Sequence, residues 1–343
     1  MLTPKDLGND GSFIIAEVGQ NHQGDLDNAR EFIKIFSAMG ADAVKFQTRD
    51  NKYLFSEEAY NMPYNSENAF DPIYGKHREK LELKKDWLPI LKEDCQKCGV
   101  KFMSTPFDEP SLDYICEIGV DLIKIASFDL GNLPFIEKIS KKGLPVVISI
   151  GGGKEDQIRS SVEVLLRGCK EIAVLNCVSE YPCPHDRLNL QNIPFLIKEF
   201  PDCTIGSSDH FNGTLSGPIA FMQGARVFEK HVTLNRSWPG TDHGFALEPE
   251  GFRKFVRDIR RTPEMMNSKP AKEVGSEPVF MKLGKSLVAI KELQKGAKLE
   301  LTDLSGKIFP TQIIPVRESN SILGMTLNKK IREGEPIRRE DLT

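Results

Sequence analysis

Between residues 12 and about 260 the chain repeats one pattern eight times: a short apolar, β-branched run followed by an amphipathic stretch of ten to fifteen residues. The strand-like runs are Phe13–Gly19, Ala43–Thr48, Lys101–Phe107, Leu122–Ser127, Pro145–Ile150, Glu171–Cys177, Thr204–Asp209 and Val227–Thr233. The stretches between them place apolar residues three and four apart, as Asp25–Met39 does. Gly40, Gly99, Gly119, Gly143 and Gly224 each fall just past such a stretch, where a helix is expected to stop. Eight β–α units in about 250 residues predict an α/β fold of the (β/α)8 TIM-barrel type. Periodicity does not show closure, so a doubly wound open sheet is the runner-up.

The pattern ends near Arg261, which sets the expected catalytic domain at 1–261. Residues 262–282 hold three prolines and no clear period and read as a linker. Residues 283–343 contain a weak internal repeat, with LVAIKELQKGAKLELTDL echoed by LNKKIREGEPIRREDL, and read as a small β-rich domain. A unit of that size is marginal alone, so it is expected to lean on the barrel or on a partner chain. The segment 49–85 is too long for an ordinary connection. It carries Tyr53, Phe55, Tyr60, Tyr64, Phe70 and Tyr74, which argues for a packed lid or interface loop.

Composition excludes several classes. Lys and Arg total 46 against 49 Asp and Glu in 343 residues, a net charge of −3, so no nucleic-acid or membrane-surface partner is expected. No run approaches the ~18 apolar residues of a membrane helix. The opening residues hold only a four-residue apolar run, so no signal peptide is expected and the protein reads as cytoplasmic. The seven cysteines are odd in number and unclustered, which argues against a disulfide framework.

In a barrel of this kind the chemistry sits at the C-terminal ends of the strands. Lys45 and Lys124 lie inside apolar strands, and buried lysines need partners. With Thr105, Ser127 and Ser208 at other strand ends they suit a phosphate or carboxylate ligand. The plain alternative pairs each lysine with a buried Asp or Glu. His210 and His231, from neighbouring strands, can share one divalent ion with positions left open. They also read as one acid–base and one structural histidine. Glu17, Asp129 and Asp242 are strand-end or loop carboxylates able to bind hydroxyls or carry a proton, or simply to sit in solvent. Taken one by one, His22, His77, His185 and His243 read as surface loop residues. Cys95 and Cys98 form a lone CxxC better explained by core packing than by zinc. The Gly151-Gly152-Gly153-Lys154 run lacks P-loop spacing, and its glycines let backbone approach a ligand or a neighbouring strand.

Six segments in the right order, IIAEVGQNHQGDLDNA, ADAVKFQT, FMSTPFD, IKIASFD, GSSDH and FEKHVTL followed by PGTDH, resemble the sialic acid synthase family. These are the phosphoenolpyruvate-dependent nonulosonate synthases, and the resemblance covers essentially the whole chain. It implies a C-terminal antifreeze-like (SAF) domain, a dependence on Mn²⁺ or Mg²⁺ and a domain-swapped homodimer. The implied reaction joins phosphoenolpyruvate to an open-chain N-acetylhexosamine, N-acetylmannosamine or its 6-phosphate, with release of phosphate. It places Lys45, Thr105, Lys124, Ser127, Ser179 and Ser208 around phosphoenolpyruvate and His210 and His231 on the metal. Glu17, Asp129, Tyr181 and Asp242 fall around the sugar, and Lys282 or Lys285 supplies a further phosphate contact. Glu17 is the residue expected to handle a proton near the attacking water.

Two departures bear on the acceptor. Where some relatives carry an arginine for the acyl group, this chain reads Gly306-Lys307-Ile308-Phe309-Pro310, with Arg317 nearby but unaligned. Tyr74-Gly75-Lys76-His77 resembles the animal-type members that take the 6-phosphate, while legionaminate- and pseudaminate-type synthases are siblings the motifs do not separate. A metal-dependent aldolase or sugar isomerase on the same barrel would not need two strand lysines flanked by hydroxyls. A carbohydrate- or ice-binding scaffold would not need paired strand-end histidines.

Overall fold

The computed structural model describes residues 2, 11–268, 270 and 273–343; positions 1, 3–10, 269, 271 and 272 lie outside it. The chain divides into two compact units, one ending at Met266 and one spanning Asn267–Thr343.

The first unit is a closed barrel of eight parallel strands in sequential order: β1 (Phe13–Gly19), β2 (Ala43–Thr48), β3 (Lys101–Pro106), β4 (Leu122–Ile125), β5 (Val146–Ser149), β6 (Ile172–Cys177), β7 (Thr204–Asp209) and β8 (Val227–His231). Closure through the β1–β8 ladder excludes the open sheet. The helices are α1 (Leu26–Ala38), α2 (Asn51–Leu54), α3 (Glu57–Tyr60), α4 (Tyr74–Leu81), α5 (Leu88–Lys97), α6 (Glu109–Glu117), α7 (Leu133–Ser140), α8 (Glu155–Leu166), α9 (Ile193–Glu199), α10 (Ser216–Met222) and α11 (Pro249–Met266). Helix α1 shows the local logic. Asp25 caps it by accepting from the Asn28 N–H at 2.8 Å, and Ala29, Phe32, Ile33 and Phe36 form its buried face. Helix α11 runs to Met266, so the boundary read from sequence at 261 falls inside a helix whose Phe252, Phe255, Val256 and Ile259 are buried. No helix among the described residues is long and apolar enough to cross a membrane.

Strand alternation assigns the two faces of the barrel wall. Ile14, Ala16 and Val18 point outward into the helix layer. Phe13, Ile15, Ala43, Met103, Leu122, Val147, Ala173, Leu175 and Val227 fill the interior with Leu2. Two residues further along, six of the eight strands change from apolar to polar: Ile15 to Glu17, Ala43 to Lys45, Met103 to Thr105, Leu122 to Lys124, Val147 to Ser149 and Val227 to Glu229. The floor of the barrel is therefore dry and its C-terminal mouth is charged. Gly206 marks a tight point in the wall, where a Cβ would stand 2.1 Å from the Val227 carbonyl oxygen and 2.5 Å from Leu175 Cδ2. Gly206→Ala is expected to cost about 1–3 kcal/mol in a denaturant titration, because backbone has to move. An unchanged midpoint would show that β7 and β8 are free to part.

Segment 49–85 is not irregular. It folds into α2, α3 and α4 around packed rings, with Tyr64 tilted on His77 at 4.5 Å between centroids and edge-on to Tyr74 at 5.3 Å. The expectation that four loop histidines lie on the surface holds only for His185. His22, His77 and His243 are buried, because the β1, α4 and β8 loops fold against one another.

The second unit pairs β9 (Lys285–Ala289) antiparallel with β10 (Leu304–Ile308) over a core that includes Leu287, Leu299, Ile322, Leu327 and Ile337. The sequence repeat is realised as two matching corners. In one, Lys291 bridges Asp303 at 2.8 Å; in the other, Lys329 bridges Asp341 at 2.6 Å.

Candidate active site

A cavity of about 580 Å³ opens at the C-terminal ends of the strands. Its floor is a row of alternating charges. Lys45 Nζ lies 2.6 Å from Glu17 Oε2 and 3.6 Å from Glu229 Oε2, and it donates to Thr105 Oγ1 at 3.1 Å. Lys124 Nζ stands 3.8 Å from Glu229 Oε1, which also accepts from Ser208 Oγ at 3.0 Å. Burial would raise the Glu229 carboxyl, but the ammonium groups of Lys124 and Lys45 outweigh it and hold it below the ordinary range. Glu17 goes the other way: burial, only partly offset by Lys45 and reinforced by the Glu229 charge, pushes it up. Burial lowers Lys124, while Lys45 is raised because its two carboxylates overcome desolvation. The carboxylate-pairing reading of the strand lysines holds: Lys45 pairs with Glu17 and Glu229 and Lys124 with Glu229, and both lysines also line the cavity.

Above the floor stand two imidazoles. His210 follows β7 and His231 ends β8, with ring centroids 5.3 Å apart. His210 Nδ1 donates to the Val178 carbonyl at 2.8 Å, which leaves Nε2 as a lone-pair donor. Burial lowers the pKa of both rings, His210 being pushed down to about 4, and so favours their neutral forms. His231 Nδ1 is buried without a hydrogen-bond partner, 3.7 Å from Asp242 Oδ2. Two neutral imidazoles, one with an orphaned nitrogen, fit a divalent ion. Among the described residues no third His, Cys, Asp or Glu completes a closed cluster, so ligand or water would fill the other positions. Tyr181 packs on His210 at 3.9 Å between centroids.

The side wall comes from the lid segment and was not foreseen. Arg49, Asn68, Tyr74 and Arg78 line the cavity with Gln20 and Gln47. Arg49 is paired with Glu82 at 2.7 Å. Glu229 was also unassigned, although a glutamate two residues from Val227 and two from His231 on an inward face was the available signal.

Of the residues singled out from sequence, Glu17, Lys45, Thr105, Lys124, Ser127, Tyr181, Ser208, His210, His231 and Asp242 meet in this cavity. Ser127 lies on a 3₁₀ turn, Ser127–Asp129, because β4 stops at Ile125, and its hydroxyl accepts from the Gly151 N–H at 2.9 Å. Gly151 is glycine because a Cβ there would meet Ser179 Oγ at 2.5 Å and Cys177 Sγ at 3.0 Å. Two residues do not line the cavity. Ser179 is turned to the Gly151 carbonyl, to which it donates at 3.1 Å, and Asp129 is held by Asn132 at 3.0 Å. Lys282 and Lys285 are exposed residues of the second unit. Arg317 lies over the Phe280 ring of that unit, 5.0 Å from its centroid. In the CxxC, Cys95 is core and Cys98 exposed.

A TIM barrel whose mouth gathers two lysines, strand-end hydroxyls and paired neutral histidines is an enzyme for a small anionic substrate. The chain belongs to the NeuB family, whose model matches residues 32–271, and residues 284–343 match the SAF domain. It is 34% identical over 332 residues to the N-acetylneuraminate-9-phosphate synthase of Homo sapiens, covering 96% of this chain and 92% of that protein. It is 35% identical to the N,N'-diacetyllegionaminic acid synthase of Campylobacter jejuni, covering 95% and 99%. The crystal structure of an N-acetylneuraminic acid synthetase from Leptospira borgpetersenii in complex with citrate superposes with a TM-score of 0.69 at 32% identity, over 78% of this chain and 91% of that one. The protein is therefore a C–C bond-forming transferase of the sialic and nonulosonic acid synthase family.

Proposed function

We propose that the enzyme condenses phosphoenolpyruvate with open-chain N-acetylmannosamine, or a close derivative of it, and water to give an N-acetylneuraminate-type nine-carbon 2-keto acid and inorganic phosphate. The observation that carries this reading is the Glu17–Lys45–Glu229–Lys124 row beside the Thr105, Ser127 and Ser208 hydroxyls. It offers preorganised positive charge for a phosphate and a carboxylate in a water-poor pocket.

The atoms balance as follows. C3 of phosphoenolpyruvate bonds to the aldehyde carbon, whose oxygen takes a proton. Water adds to the electron-poor C2 and gives up its proton. The C2–O bond to the phosphoryl group then breaks as the new C2 hydroxyl gives its remaining proton to the departing phosphate, leaving the ketone and inorganic phosphate. Lys45 and Lys124 hold the phosphate and carboxylate. Glu17, whose carboxyl burial pushes above its ordinary range, carries the proton of the water. Tyr181 and Asp242 face the sugar. His210 and His231 would hold a divalent ion, Mn²⁺ or Mg²⁺, which would supply Lewis-acid polarisation of a carbonyl oxygen. A cytoplasmic location and a domain-swapped homodimer belong to the same reading.

The two relatives quoted are almost equally similar to this chain yet carry names that specify different products, so identity does not choose the acceptor. The test incubates the purified protein with Mn²⁺, phosphoenolpyruvate and N-acetylmannosamine or its 6-phosphate, reading phosphate release and product mass together. Sugar-dependent phosphate release with a matching nine-carbon acid is expected. Chelation should abolish it and added Mn²⁺ or Mg²⁺ restore it. A sugar-only product without phosphate release would make the protein an aldolase or isomerase instead.

A further inference from the structure

The cavity contains four cationic side chains, and three of them have carboxylate partners: Lys45 with Glu17, Lys124 with Glu229, and Arg49 with Glu82. Arg78, on the inward side of α4, has none among the described residues. Its Nη1 donates to Gln20 Oε1 at 3.0 Å, and its Nε is buried with no hydrogen-bond partner. Burial, reinforced by the nearby Arg49 charge, outweighs the Glu82, Tyr74 and Asp242 charges and presses this guanidinium down to about 10. A partly buried charge with no ion-pair partner is one that a ligand can complete.

The phosphoenolpyruvate anions have their own site at the floor. Between that site and Arg78 runs a relay of amides. Gln47 Nε2 donates to Glu17 Oε1 at 3.0 Å, Gln20 Nε2 reaches Gln47 Oε1 at 3.4 Å, and Arg78 closes the line. Arg78 therefore lines the same cavity as the lysines but stands at the far end of this relay from Lys45, where it could meet the other end of a substrate whose reacting atoms lie at Lys45. A guanidinium with free N–H groups matches a phosphate as a fork.

We infer that Arg78 is a specificity-determining residue whose free guanidinium edge binds a phosphate at the far end of the acceptor, so that the preferred substrate is a phosphorylated N-acetylhexosamine rather than the neutral sugar. This rests on the reaction proposed above.

The test compares wild type, Arg78→Met and Arg78→Lys, each with Mn²⁺, phosphoenolpyruvate and either N-acetylmannosamine or its 6-phosphate. In parallel, thermal unfolding is followed with each sugar alone. Wild type is expected to prefer the 6-phosphate. Arg78→Met should lose roughly 10- to 150-fold more kcat/KM on the phosphorylated acceptor than on the neutral one, the span of one or two charge-assisted hydrogen bonds. Arg78→Lys should recover part of that difference. A wild-type preference for the neutral sugar, or equal losses on both acceptors, overturns the assignment. No turnover on either sugar, with a rise in Tm given by the 6-phosphate alone and removed in Arg78→Met, would sustain the phosphate site while refuting the condensation. No turnover and no phosphate-specific rise would refute both.

Discussion

Glu17→Gln is expected to lower kcat of the condensation by about 10²- to 10⁴-fold, the usual contribution of a positioned acid–base group. The same change should move KM for phosphoenolpyruvate little. Glutamine keeps the shape and can still meet Gln47, which donates to Glu17 Oε1 at 3.0 Å. It removes the charge 2.6 Å from Lys45, but Lys45 retains Glu229 at 3.6 Å and Thr105 at 3.1 Å. An anion arriving at Lys45 meets one carboxylate fewer, so binding should hold or tighten while turnover falls. Steady-state kinetics with both substrates varied, together with thermal unfolding, separates the possibilities. A near-normal kcat would remove Glu17 from proton transfer. A matched loss of kcat and stability would make it a counter-charge to Lys45 and nothing more.

The same group of residues shows what the sequence could and could not reveal. All eight strands were legible because a barrel wall is apolar on both faces, and lysines inside such runs stand out. Their partners were not legible, because Glu229 on β8 meets Lys124 on β4, and pairing across a barrel leaves no spacing signal in the chain. Arg78 was hidden for a different reason. It sits in KHREK, a run that reads as a solvated helix face, and only the folding of 49–85 buries His77 and brings Arg78 into the cavity lining. Ser179 and Asp129 err in the opposite sense. Both follow strand ends, but local hydrogen bonds to Gly151 and Asn132 hold their side chains away from the cavity lining. Loop histidines were misjudged because burial there depends on loop–loop packing: His243 is enclosed by Thr233, which shares a 2.7 Å hydrogen bond with its Nδ1.

The largest stability effect is expected on the outer face of the wall, at Lys230. This side chain is 1% exposed, and its Nζ lies 2.8 Å from Asp209 Oδ1 and also donates to the Phe211 carbonyl. Asp209 in turn accepts from Ser216 Oγ and from the Phe211 N–H. Asp209 and Lys230 are register partners on β7 and β8, so the pair clamps the two strand ends that carry His210 and His231. Lys230→Met keeps most of the stem but leaves the Asp209 charge buried without its cation, which should cost about 3–5 kcal/mol in urea unfolding. Asp209→Asn combined with Lys230→Met removes both charges; the amide oxygen in the Oδ1 position still accepts from the Phe211 N–H, and the amide nitrogen in the Oδ2 position can donate to the Ser216 hydroxyl, which turns to accept. Replacing a buried pair outright is often close to neutral, so the double variant should recover most of the loss. Additive losses in that cycle would mean that hydrogen bonds to Phe211 and Ser216, rather than the ion pair, hold the histidine-bearing ends of β7 and β8 together.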